Sequence, residues 1–269
     1  MRHIVGRPRA VMLCGAMLLL GRQVEGQAAT SIREAVLGEP GQTTAEVSTA
    51  QLTRALGDRS VTVLDARPNR EYAISHIPGA RNVAPKPGAP ASAYVSDVAE
   101  IGRLLQEDRA AALVLYCNGP HCGKSKRLAA ELVAAGYRNV RRYQLGIPVW
   151  RALGGVCEIE AEGMRHVLDH DQTAVVIDTR TAASFATGSL PQARNIPREL
   201  VLPGKDTGEV RQAKDDGRLP MEDHNTRILV VGRDARDARY VAEALAREAF
   251  HNISYFPGTF EAARTALQR

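Results

Sequence analysis

Cysteine is scarce in this chain, with four residues among 269. They form neither a disulfide framework nor a Cys-x-x-Cys pair with histidine partners of the kind that holds zinc, so no metal and no cofactor is expected. Clustered charge is also missing. Lys and Arg number 35 against 30 Asp and Glu, a net charge of +5, but the basic residues are spread along the chain and make no stripe for a nucleic acid. Long apolar runs are absent as well. The stretch Ala10–Gly21 (AVMLCGAMLLLG) is about a dozen residues, too short to cross roughly 30 Å of hydrocarbon comfortably.

That short run sits in a distinct leader. Met1–Arg9 carries three arginines and no acid, the apolar core follows, and Gly26 and Ala28 supply small residues for cleavage. The pattern predicts a secretory signal peptide over residues 1–28, removed after Ala28, with an uncleaved anchor as the alternative. The leader has no Arg-Arg pair for the twin-arginine route, and Cys14 lies inside the apolar run, where a lipobox would not be. The expectation is a bacterial periplasmic protein with no stable membrane insertion after cleavage. The mature chain would keep Cys117, Cys122 and Cys157, an odd number that leaves at least one thiol unpaired.

The rest of the chain contains a duplication. Val61–Asn82 (VTVLDARPNREYAISHIPGARN) matches Ala174–Asn195 (AVVIDTRTAASFATGSLPQARN) at a shift of 113 positions without a gap. Asp65 falls on Asp178, Arg67 on Arg180, Pro78 on Pro191 and Asn82 on Asn195; further on, Tyr143 and Gly146 correspond to Tyr255 and Gly258. A period this long means duplicated domains and not a solenoid, whose units run to about 20–50 residues. A lead-in over 29–44, a first domain over 45–157 and a second over 158–269 are expected.

Within each copy, short apolar runs of buried-strand length alternate with helical spacing. Val61–Leu64, Ala112–Tyr116 and Val140–Tyr143 read as strands; Ser125–Ala135 reads as a helix stopped by Gly136. The fold class is α/β, each copy a mainly parallel central sheet flanked by helices. Pro85–Pro90 reads as a loop, and Pro203–Asn225, rich in charge, Gly and Pro, as an irregular insertion before a strand at Arg227–Val231.

Chemistry concentrates in Leu113–Ser125 (LVLYCNGPHCGKS), where a buried strand ends at Tyr116, Cys117 follows at once, and a helix begins near Lys124. Ligands of such sheets bind beyond the carboxyl ends of the strands. Amides of a tight loop and the positive end of a helix stabilise an anion, so the Cys117 thiol is expected below its ordinary pKa of about 8.5. Asn118, Gly119 and Gly123 permit the required dihedrals, and His121 and Lys124 would add positive charge.

The Asp65-x-Arg67 element after a strand, the run His76-Ile77-Pro78-Gly79-Ala80, and the strand-Cys117-loop-helix unit together resemble the rhodanese (sulfurtransferase) family in its tandem-domain form. The resemblance implies that Cys117 takes a sulfane sulfur as a persulfide, cradled by the loop Asn118, Gly119, Pro120, His121, Cys122, Gly123 and Lys124. The sulfur would pass from a small sulfur-containing anion, such as thiosulfate, or a persulfide donor to cyanide or a thiol. Asp65 and Arg67 would be structural support and His76 a hydrogen-bonding group, with Tyr143 and Trp150 packing the domain. No protein partner is indicated.

Two departures qualify that reading. Cys117 corresponds to Gly232 in a second loop about three residues shorter, so the second domain is degenerate, a scaffold covering one side of the active site. The familiar two-domain rhodanese instead carries its cysteine in the C-terminal copy. In the first loop, Cys122 stands where many single-domain relatives have Arg, as either a resolving thiol or a packing residue. The related phosphatases require Arg six places after the cysteine; Gly123 occupies that place. Two alternatives stay open: a non-catalytic binding or sensing module, and a redox protein using Cys117 and Cys122.

Overall fold

The computed structural model describes residues 31–83 and 98–268. The leader, with Cys14 and the cleavage point at Ala28, and the Pro85–Pro90 loop lie outside the described residues.

The first copy runs β1 (Ala45–Glu46), α1 (Thr49–Gly57), β2 (Thr62–Asp65), α2 (Asn69–Ile74), β3 (Arg81–Asn82), α3 (Val98–Leu104), β4 (Leu113–Tyr116), α4 (Lys124–Ala134), β5 (Val140–Tyr143) and α5 (Gly146–Ala152). Its five strands are all parallel, in the order β1-β5-β4-β2-β3. Helical crossovers put apolar cover on both faces of such a sheet, which is why β4 is buried along its whole length. Side chains alternate between two cores: Leu64, Leu113 and Leu115 meet Leu128 and Leu132 of α4, while Val63, Val114 and Tyr116 meet Tyr143 and Trp150. Ser48 and Gln51 close a capping box at the start of α1.

Register decides where function can sit. Asp65 pairs with Tyr116 and Tyr116 with Tyr143, so β2, β4 and β5 end level with one another. The segments after those ends, at Arg67, Cys117 and Gln144, therefore gather on one edge of the sheet.

The second copy repeats this plan with β6 (Cys157–Glu158), α6 (Ala161–His170), β7 (Val175–Asp178), α7 (Ala182–Ala186), β8 (Arg194–Asn195), α8 (Gly208–Asp215), β9 (Ile228–Val231), α9 (Ala235–Arg247), β10 (Ile253–Tyr255) and α10 (Phe260–Leu267). Its parallel order, β6-β10-β9-β7-β8, is the same as in the first copy. The stretch expected as an irregular insertion holds α8. Val210 and Ala213 bury one side of it, and the exposed Arg211, Gln212 and Asp215 on the other account for the polar composition that hid it.

The two copies meet through backbone. His76 and Glu158 exchange both main-chain hydrogen bonds (3.0 and 2.8 Å), and Glu160 N–H donates to the Ala73 carbonyl at 2.8 Å. The Glu158 carboxylate accepts from Gly79 N–H at 3.0 Å and from the Tyr255 hydroxyl at 2.8 Å, with His76 Nε2 at 3.3 Å. Burial pushes this carboxyl up in pKa, but those hydrogen bonds outweigh it and hold the group below the usual glutamate value. A carboxylate lowered on folding contributes stability that is present above its unfolded pKa and is lost as pH falls through its folded pKa.

At the closest approach, α6 crosses α2 at Gly163, where a Cβ would overlap the Ala73 carbonyl. Glycine inside a helix costs roughly 0.5–1 kcal/mol relative to alanine, so without this contact Gly163→Ala would stabilise the protein. Here the variant is expected to lose about 1–3 kcal/mol through overpacking, measured by denaturant unfolding. An unchanged or raised midpoint would refute the close-packed junction.

Candidate active site

The edge of the first sheet is pinned by a buried ion pair. Asp65 closes β2 with no exposed surface, and Arg67 returns to it: its backbone N–H donates at 2.8 Å, Nε at 3.0 and 3.1 Å, and one terminal nitrogen at 2.5 Å. The same guanidinium reaches the Ser75 carbonyl at 2.6 Å, and the Tyr116 hydroxyl donates to Asp65 at 2.5 Å. Asn82 then donates to the carbonyls of Asp65 and Arg67. Asp65, Arg67, Asn82 and Tyr116 therefore tie the ends of β2, β3 and β4 together.

The next segment is the Cys117 loop. Gly119 takes φ +101°, and Cys122 N–H donates to the Gly119 carbonyl at 2.9 Å. Pro120 and His121 form the corner of the resulting turn, with proline in the position that favours it. The reversal carries Cys122 back over Cys117, whose Sγ lies 3.1 Å from the Cys122 carbonyl and 3.3 Å from Ser125 Oγ. Asn118 is exposed and donates to Glu71 of α2 at 2.6 Å. Gly146, at φ +68°, lets α5 approach so closely that a Cβ there would overlap Gly119 N and Cys117 O. Gln144 donates to the Pro120 carbonyl at 3.3 Å and is itself engaged by the buried Arg142, which reaches Gln42 and Glu39 of the lead-in.

The start of α4 is unusual for a helix. Gly123 makes no side-chain cap, and the first turn holds Lys124 and Lys126 with no acid. Carboxylates ordinarily stabilise that position by about 0.3–1 kcal/mol; here the carboxylate comes from the lead-in, where Glu39 accepts from Lys126 Nζ at 2.8 Å.

In the second copy the Asp-Arg clamp recurs atom for atom, with the Ser189 hydroxyl taking the place of Tyr116. The loop does not recur. Gly232–Asp234 joins β9 to α9 where Cys117–Gly123 joins β4 to α4, making it four residues shorter and not three. Asp234 caps α9 by accepting from Asp237 N–H at 3.0 Å. The chain's own carboxylate thus occupies the anion position of the second copy.

Comparison with known proteins agrees with this duplicated plan. The family model described as rhodanese-like domain matches residues 48–153 and again 162–266. The chain belongs to the rhodanese-like domain family. A curated relative, the HTH-type transcriptional regulator Rv0324 of Mycobacterium tuberculosis (strain ATCC 25618 / H37Rv), is 33% identical over 119 residues, 44% of this chain and 46% of that protein. Among solved structures, a thiosulfate sulfurtransferase from Pseudomonas aeruginosa is 19% identical at a TM-score of 0.33, covering 82% of this chain and 42% of its own. An EanB complex with hercynine is 17% identical at a TM-score of 0.34, covering 83% and 60%. The chain thus spans about half the length of the relatives it matches.

In the first rhodanese-like domain the thiol is not depressed in pKa, contrary to expectation. Burial pushes Cys117 up to about 11, and Cys122 beside it adds to the rise; the Ser125 hydroxyl and amide pull the other way. Cys117 is 2% exposed, so its anion would lack water. The Cys122 amide, counted on as part of the cradle, is spent on Gly119. His121 is exposed at the outer corner of the turn. The amide that faces the sulfur is that of Ser125, in the first turn of α4.

Other expectations fall differently. The second domain meets the first through α2 and the His76–Gly79 segment, whereas the loop's hydrogen bonds run to Glu71, Gln144 and Ser125 of the first domain. A cleft of about 590 Å³ between the domains, lined by Thr49, Trp150, Arg239 and Arg247, has no loop residue in its wall. Cys157, without an evident partner in sequence, is buried in the first domain's core with its thiol against Arg151. Tyr143 and Trp150 pack that core, hydrogen-bonded to Thr49 and the Val156 carbonyl. Sequence reasoning missed Ser125, Glu71, Gln144 and Gly146. Of these, Gly146 alone carried a signal, through its correspondence with Gly258.

Alkylation of Cys117 in the resting protein, followed by peptide mass, is expected to accelerate with pH towards a midpoint near 11, well above the ordinary cysteine value of about 8.5. A plateau reached below that ordinary value would show a resting thiolate and overturn this account.

Proposed function

We propose that this chain is a sulfurtransferase that carries a sulfane sulfur as a persulfide on Cys117, taken from thiosulfate or a persulfide donor and given to cyanide or a thiol. The observation that carries the reading is the contrast between the two helix starts. Cys117 Sγ faces Ser125 at a helix N-terminus that has no side-chain cap, whereas Asp234 caps the equivalent helix beside Gly232.

The chemistry is two displacements. Cys117 gives up its proton as its sulfur attacks the outer sulfur of thiosulfate; the bond to the sulfonate breaks, sulfite leaves with the electron pair, and the proton ends on the outer sulfur of the new persulfide. Cyanide or a thiol then takes the outer sulfur and returns the Cys117 thiol. Backbone N–H groups and a helix terminus stabilise the anions on both sides of each step. The resting loop holds Sγ–H against the Cys122 carbonyl, so loading requires that carbonyl to turn away as the anion arrives. A neutral buried thiol suits a protein exported to an oxidising compartment. Export is part of the proposal, and N-terminal sequencing of protein recovered from the periplasm should begin at Ala29; recovery of intact Met1 from a soluble cytoplasmic pool would remove it.

Thiosulfate-to-cyanide transfer tests the assignment. Cys117→Ser is expected to abolish turnover, and Cys157→Ser, buried in the core beyond the loop, to retain most of it. Gly232→Cys in the Cys117→Ser background should restore none, since a Cβ at 232 meets the Thr179 hydroxyl and the Ala238 amide; it should instead cost about 1–3 kcal/mol of stability by overpacking. Activity surviving Cys117→Ser would sink the mechanism.

A further inference from the structure

A second thiol stands in the same closed loop. The Gly119–Cys122 turn reverses the chain within six residues, so Cys122 lies against Cys117: its carbonyl is 3.1 Å from Sγ, and its half-buried side chain packs on the cluster of Leu115 and Leu128 that holds Cys117. Cys157 belongs to the core on the opposite face of the sheet and is no competitor. With Cys117 only 2% exposed, a bulky external thiol must open the loop to reach the sulfur, whereas Cys122 is already inside it. Thiols held within one tight turn meet at an effective concentration of millimolar or more, which favours the internal reaction.

We propose that Cys122 is a resolving thiol, and that it gives the protein a second activity, the reductive release of sulfide. The proposal rests on the persulfide reading of Cys117. Cys122 attacks Sγ of the Cys117 persulfide, forming a Cys117–Cys122 bond and breaking the bond from Sγ to the outer sulfur. That sulfur leaves with the electron pair and the Cys122 proton, as hydrogen sulfide. The two cysteine sulfurs are oxidised by two electrons and the sulfane sulfur is reduced by the same two. An external dithiol returns both cysteines to thiols and is itself oxidised to a disulfide. Over a cycle, thiosulfate and a dithiol become sulfite, sulfide and a disulfide. Fast transfer to cyanide would compete with this branch, so the acceptor present decides whether sulfur leaves as thiocyanate or as sulfide.

The test is a single loading of the purified, fully reduced protein with thiosulfate, without acceptor, followed by sulfide assay, free-thiol count and intact mass. Wild type is expected to release about one sulfide per chain while losing two thiols, its mass falling by two hydrogens and the disulfide mapping to Cys117 and Cys122. Cys122→Ser and Cys122→Ala should instead hold the added sulfur on Cys117 until an external thiol is supplied. If wild type keeps its persulfide as long as these variants do, the resolving role fails and the sulfurtransferase reading stands. If neither wild type nor either variant gains sulfur, both readings fall together.

Discussion

Everything at the Cys117 edge of the first sheet hangs on a carboxylate that has no water. Asp65 is fully buried at the end of β2, and an isolated charge there would cost several kcal/mol. Arg67, two residues on, cancels that charge only by folding back, which dictates the path of the chain as it leaves the strand. The Tyr116 hydroxyl donates to the same carboxylate and the Asn82 amide to the Asp65 backbone carbonyl, so three strand ends become one rigid edge. The Cys117 loop begins one residue after that edge. Replacing a single member leaves a buried charge or hydroxyl unmatched, and the clamp is present in both copies, including the one whose loop has Gly232 in place of a cysteine.

The divergence of the copies is electrostatic. Both place a loop and a helix N-terminus beyond the central strand, and a helix N-terminus attracts negative charge. The second copy satisfies its own terminus with Asp234, which gains the stability of a cap and closes the site. In the first copy Gly123 supplies no side-chain cap beneath Cys117, the first turn of α4 holds Lys124 and Lys126, and the Glu39 carboxylate of the lead-in pairs with Lys126. The second domain supports this arrangement indirectly: α6 packs on α2 through Gly163, and α2 in turn presents Glu71 to Asn118.

Burial sets the resting state of the Cys117 thiol. A loop tight enough to surround a sulfur atom also excludes water from it, and with the Cys122 carbonyl accepting the thiol proton the neutral form wins. The features expected to activate Cys117 are present in outline, but most are directed elsewhere: the Cys122 amide bonds Gly119, and His121 faces outward.

What the sequence determined by itself was the duplicated α/β plan, the positions of the buried strands, the clamp Asp65–Arg67, and the single cysteine placed at a strand end. These follow from local periodicity and from residues repeated at a fixed spacing. Tertiary structure decided the protonation of Cys117, the approach of Gly146 and Ser125 to the loop, the burial of Cys157 in the first core, and the crossing at Gly163. Helix α8 also escaped the sequence, because its apolar face is only two residues wide. Each depends on which surfaces exclude water and which backbones come within contact, and those are properties of packing between segments distant in the chain.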